Sequence, residues 1–90
     1  MKLRIFVEGL VQGVGFRAYT KRIAESYGLN GWVRNLPDGR VEILVEGDEE
    51  LIGHFIKDIL KGPPAARVDK VEIIKEQSDE PVYGFDIRYS

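Results

Sequence analysis

The chain of 90 residues contains no cysteine. Disulfides, iron–sulfur clusters, thiolate zinc sites and thiol nucleophiles are therefore all excluded. Histidine is almost as scarce, with a single copy. His54 falls between the apolar positions of a helical stretch, on the side shared with Glu50, Lys57 and Lys61, and reads as a surface residue. That leaves no catalytic triad and no histidine-built metal site. Basic charge is not in surplus: 13 Lys and Arg stand against 15 Asp and Glu, a net charge of −2. A general nucleic-acid binder would show a basic excess or stripe. No apolar run approaches the roughly 20 residues that span a bilayer. The N-terminus is a charged, alternating strand rather than the apolar heart of a signal peptide. The expectation is a cytoplasmic monomer with no membrane and no nucleic-acid partner. Repeats, linkers and low-complexity segments are missing too. Ninety residues, 43% of them hydrophobic, make one domain over residues 1–90 with a single core. Any site should be shallow and close to the surface.

What is present is strong periodicity. Leu3, Ile5 and Val7 alternate, giving a first strand over residues 2–8. Phe16, Tyr19, Ile23 and Tyr27 recur at helical spacing, predicting a helix over 16–27 with Gly28 as its left-handed C-terminal cap. Residues 30–35 form a second strand, Leu36-Pro37-Asp38-Gly39-Arg40 a turn, and Val41, Ile43 and Val45 a third strand in hairpin with the second. Asp48 suits the N-cap of a second helix, with Glu49 and Glu50 in its first turn. Leu51, Ile52, Phe55, Ile56, Ile59 and Leu60 would form its buried stripe, and Gly62-Pro63-Pro64 its stop. A fourth strand runs over 67–75, its alternation slipping between Val68 and Val71 as at a bulge. Tyr83, Phe85, Ile87 and Tyr89 alternate as a last strand. The order β-α-β-β-α-β, with a strand appended, predicts an α+β, ferredoxin-like split β-α-β sandwich. Its mostly antiparallel sheet would be covered on one face by two helices.

The chemistry concentrates in Gln12-Gly13-Val14-Gly15-Phe16-Arg17, where the first strand turns into the first helix. Glycines permit the positive φ that lets successive N–H groups converge on one anion. The helix end adds about half a positive charge. Arg17 is a cation at the positive end of a helix, which is unfavourable unless an anion binds there. Its planar fork suits phosphate or carboxylate. Gly13-x-Gly15-x-x-Ala18 also fits a dinucleotide fingerprint, and Asp38 follows about twenty residues later. That reading fails because the second strand enters a tight hairpin instead of a further parallel unit, and no nucleotide P-loop sequence is present. The plain alternative is that the glycines only shape a turn. Asn35, at the end of the second strand, has two readings as well. It can satisfy loop backbone groups, the plainer choice, or hold a water, since an amide both donates and accepts. The acidic residues, Glu42 among them, read as solvated strand faces and helix ends, and Trp32 and the tyrosines as packing residues.

Two segments go further. Val7-Glu8-Gly9-Leu10-Val11-Gln12-Gly13-Val14-Gly15-Phe16-Arg17 and Gly31-Trp32-Val33-Arg34-Asn35-Leu36-Pro37-Asp38-Gly39-Arg40-Val41-Glu42 closely resemble the two signature segments of the acylphosphatases. The resemblance extends over nearly the whole chain. It implies hydrolysis of the carboxyl–phosphate bond of a small-molecule acyl phosphate, without metal or cofactor, and with inorganic phosphate as product or inhibitor. It implies that Gln12, Gly13, Val14, Gly15 and Phe16 bind phosphate through backbone N–H groups, that Arg17 clamps it, and that Asn35 orients the attacking water. Such chemistry asks little of acid catalysis, because the departing carboxylate belongs to an acid with a pKa of about 4. A further expectation is that the carboxylate of Ser90 lies near Arg17. Three other functions compete: a phosphate sensor on the same cradle, an RNA-binding sheet, and an accessory domain of a larger carbamoyl-transfer enzyme, where acylphosphatase-like domains occur. A sensor would not need Asn35. An RNA binder would want aromatics on a basic sheet, whereas the third strand, Val41-Glu42-Ile43-Leu44-Val45-Glu46, has two acids and no aromatic. The length of the chain favours a free-standing domain over an accessory one.

Overall fold

Seven elements follow the predicted order in the computed structural model, which describes residues 1–89. They are β1 (Lys2–Leu10), α1 (Phe16–Ser26), β2 (Asn30–Asn35), β3 (Val41–Glu46), α2 (Glu49–Lys61), β4 (Arg67–Lys75) and β5 (Phe85–Arg88). The sheet order is β4-β1-β3-β2-β5. β4, β1, β3 and β2 pair antiparallel with their neighbours, while β5 joins β2 in parallel, so the sheet is mixed. β1 and β2 both run antiparallel to β3, which lies between them. β3 and β4 likewise flank β1. These are two interleaved split βαβ units, the ferredoxin-like α+β topology.

The alternation of β1 puts Leu3, Ile5 and Val7 into the core, facing Val41, Ile43 and Val45 of β3 and Val33 of β2. Phe16 and Ala24 of α1, with Ile52, Phe55 and Ile59 of α2, close that core from the helical side. Helix α1 buries Phe16, Thr20 and Ala24, a line spaced by four. Tyr19, Ile23 and Tyr27 flank it and are half-buried. The small Thr20 and Ala24 let α1 sit close to the sheet, and the Thr20 hydroxyl donates 2.8 Å to the Phe16 carbonyl.

The ends of the helices follow from their residues. Gly28 has φ +68°. Its N–H donates to Glu25 O, and that of Leu29 to Ala24 O, the two bonds of a Schellman cap. Asp48 Oδ1 accepts from the N–H groups of Glu50 and Leu51, at 2.9 and 3.2 Å. The slip in β4 is real. Glu8 pairs with Lys70 and Gly9 with Val68, so Asp69 is the extra residue of a bulge.

Three expectations need correction. The buried stripe of α2 is narrower than predicted: only Ile52, Phe55 and Ile59 are buried, with Leu51 and Leu60 exposed by 37% and 51%. One residue step rotates about 100° around a helix, so Leu51 and Leu60 turn away from the line set by their neighbours. β5 is four residues long rather than seven, because as an edge strand it pairs only along Gly31–Arg34. Glu42 is not solvated. It is 4% exposed and accepts from Arg4 and Arg34, each at 2.5 Å. Arg34 lies opposite it on β2 and Arg4 reaches it diagonally from β1, so both arginines cover it.

Candidate active site

The helix-covered face of the sheet meets the N-terminus of α1 at the end of β1 and β2. Gly13 and Gly15 have φ of +75° and +77°, while among the described residues none other than glycine has positive φ. The backbone therefore alternates in sign from Gln12 to Phe16, which is how successive N–H groups form an anion-binding nest. A Cβ at either glycine would meet nothing within 4 Å, so backbone conformation, not space, selects glycine. Gly15 is the N-cap of α1. It offers no capping side chain, and the first turn holds no acidic residue. The N–H groups of Phe16, Arg17 and Ala18 have no acceptor inside the helix. Helix α2 of the same protein has both devices, Asp48 as cap and Glu49 and Glu50 in its first turn. The positive end of α2 is answered from within; that of α1 is left open.

A cavity of about 180 Å³ lies at this end, lined by Gly13, Gly15, Phe16 and Arg17 of the loop and by Asn35. The two segments singled out in the sequence, 24 residues apart at Val11 and Asn35, thus share one cavity. Arg17 is half-buried and, among the described residues, takes part in no ion pair. Its guanidinium lies 4.8 Å from the ring centroid of Tyr89. Asn35 carries the one buried side-chain oxygen or nitrogen without a hydrogen-bond partner among the described residues, its Oδ1. If Asn35 served only the turn, that oxygen would be engaged. An orphaned acceptor on a residue that lines a cavity calls for a water or a substrate donor.

Gln12 acts differently from its neighbours. Its Nε2 donates to the carbonyls of Leu36 and Arg40, at 2.8 and 2.9 Å. The side chain ties the loop to the turn that follows Asn35 instead of lining the cavity. Val14 is half-buried and packs on the core. Tyr89 and Ile87 line the cavity as well, though nothing in their local sequence marks them. They arrive through the parallel β2–β5 pairing, a long-range contact no short motif reports. Ser90, and with it the expected carboxylate near Arg17, lies outside the described residues. Among those residues, no group of three or more histidines and carboxylates is placed to hold a metal ion, and no helix is long and apolar enough to cross a membrane.

A glycine nest, an arginine outside any ion pair among the described residues, and an asparagine with an unpartnered amide oxygen around one cavity are chemically suited to a small anion. Comparison with known proteins is more specific. The sequence profile named Acylphosphatase matches residues 3–87. An acylphosphatase of Caldivirga maquilingensis is 49% identical over 90 residues, covering 99% of this chain and 95% of that protein. The crystal structure of acylphosphatase from Bacillus subtilis superposes with a TM-score of 0.94 at 41% identity, covering 98% of both chains. HypF of T. kodakarensis contains a similar domain, with a TM-score of 0.86 and 43% identity over 98% of this chain but only 12% of that one. The chain belongs to the acylphosphatase family, a family of hydrolases acting on acyl phosphates.

Proposed function

We propose that this protein hydrolyses the carboxyl–phosphate bond of acyl phosphates without a metal ion, on the cavity between the 12–17 loop and Asn35. The phosphoryl group sits on the N–H groups of the loop and the first turn of α1, with the helix dipole behind them. Arg17 donates its fork to two phosphoryl oxygens and balances the charge that spreads over them. The amide oxygen of Asn35 accepts a hydrogen bond from a water and holds it for in-line attack on phosphorus. As the new P–O bond forms, the bond to the acyl oxygen breaks, and the carboxylate leaves with the electron pair. The proton of the water passes to the phosphate. No strong acid is needed, because the leaving carboxylate is a weak base. Positioning and charge stabilisation supply the rest of the catalysis.

The observation that carries this reading is the unpartnered Oδ1 of Asn35, a residue that lines the same cavity as Arg17. A phosphate sensor would bind its ligand with the nest and Arg17 alone. Asn35→Ala is expected to lower kcat by about 10²–10³, the typical cost of losing one preorganised hydrogen-bonding group. Inhibition by inorganic phosphate should stay near the wild-type value. A variant with full kcat would remove the water-holding role from Asn35.

A further inference from the structure

We propose that Tyr89, with Ile87 beside it, forms an apolar shelf that receives the acyl group, so that aromatic acyl phosphates are preferred over those with a small alkyl group. The inference rests on the hydrolase reading above and adds a substrate class to it.

The shelf follows from register. β5 pairs with β2 in parallel, Val33 with Ile87 and Arg34 with Arg88. The pairing ends there, and Tyr89 and Asn35 are the next residues of the two segments past the last pair. Side chains two apart share a face of a strand. Val33 belongs to the core and Ile87 packs against it, so Asn35 and Tyr89 continue that face past its last covered position. The cavity confirms the placement, since Ile87 and Tyr89 both line it along with Asn35 and Arg17.

The chemistry of the substrate then assigns the shelf its role. An acyl phosphate has one doubly charged end and one end of variable size. With the phosphoryl group on the nest, the acyl group must project toward the rim. Two apolar residues of the cavity, Val11 and Phe16, are 1% exposed and offer almost no surface to it. Ile87 is half-buried, and Tyr89 is 82% exposed. A ring that exposed is not held by core packing. The Arg17 guanidinium lies over it, 4.8 Å from the ring centroid. That cation–π contact fixes the ring at the rim and leaves most of its surface bare. A planar aromatic acyl group can stack on that surface, whereas an acetyl group is too small to cover it.

The test compares kcat/KM for benzoyl and acetyl phosphate in the wild type, Tyr89→Ala and Tyr89→Phe, with inhibition by inorganic phosphate as a third readout. An offset aromatic contact changes affinity by about 2- to 12-fold. Tyr89→Ala should lose about that factor on benzoyl phosphate, mainly through KM, while acetyl phosphate and phosphate inhibition change little. Tyr89→Phe should restore the preference, because the ring and not the hydroxyl makes the shelf. Equal losses on both substrates with weakened phosphate inhibition would mean that Tyr89 only steadies Arg17, and would overturn the proposal. So would a Tyr89→Ala protein with wild-type selectivity. A wild type that turns over neither substrate would overturn the hydrolase reading and the shelf together, an outcome distinct from the other two.

Discussion

Arg17 and Asn35 line one cavity that, among the described residues, no histidine or carboxylate lines. Arg17 stands out from its position alone, as a cation at the wrong end of a helix, and the first turn of α1 that carries it has neither a capping side chain nor an acidic residue. Asn35 was not readable in the same way, since an asparagine before a turn has an adequate local explanation. Only the tertiary structure reveals that its Oδ1 is unengaged. Glu42 was misread for a related reason: alternation assigns it to the helix-free face, but only strand register places Arg4 and Arg34 over it. Arg17→Ala should abolish phosphate inhibition as well as turnover, and Arg17→Lys should recover little, because an ammonium lacks the planar fork. Titration with inorganic phosphate alongside steady-state kinetics would check both. Gly15→Ala forces a side chain into φ +77°. It should cost about 1–2 kcal/mol of stability in urea unfolding and weaken phosphate binding as the nest deforms.

Elements were legible where their signals are local. The alternation of β1, the Schellman cap at Gly28, the Asp48 N-cap and the bulge at Asp69 all rest on residues within a few positions of one another. The width of the buried stripe on α2 was not, because it depends on how the helix lies on the sheet. Nor was the reach of β5, which depends on a partner more than fifty residues away in sequence. The two helices give a comparison inside one molecule. Helix α2 is capped by the Asp48 side chain, and α1 has no side-chain cap. Asp48→Ala should therefore cost about 0.5–2 kcal/mol of stability while leaving kcat and KM unchanged, as denaturant unfolding and kinetics on the same variant would show.

At the scale of the whole molecule, the helix-free face of the sheet is held by charge as well as packing. Arg4 donates from Nε to Glu76 at 2.9 Å, and Lys2 Nζ reaches the carbonyls of Ser78 and Glu80, so the segment after β4 is strapped across that face. Hydrogen bonding from Arg4, aided by the Ser78 N–H, holds the Glu76 carboxyl below its ordinary pKa. The Arg67 side chain does the same for Asp69, and the backbone N–H and then the side chain of Arg40 for Asp38. A carboxyl whose pKa is depressed by folding stabilises the folded state above its unfolded pKa of about 4 and loses that contribution as pH falls through the folded value. Stability should therefore be flat near neutrality and decline in acid below about pH 4, and Glu76→Gln should reduce the acid sensitivity seen by circular dichroism. The central claim concerns the site, and it is that this fold hydrolyses acyl phosphates with its own backbone, one arginine and one amide. The direct measurement is hydrolysis of acetyl or benzoyl phosphate by the wild-type protein in excess chelator. Turnover undiminished by the chelator is the predicted result; no turnover, or turnover that chelator removes and added metal restores, would contradict the account.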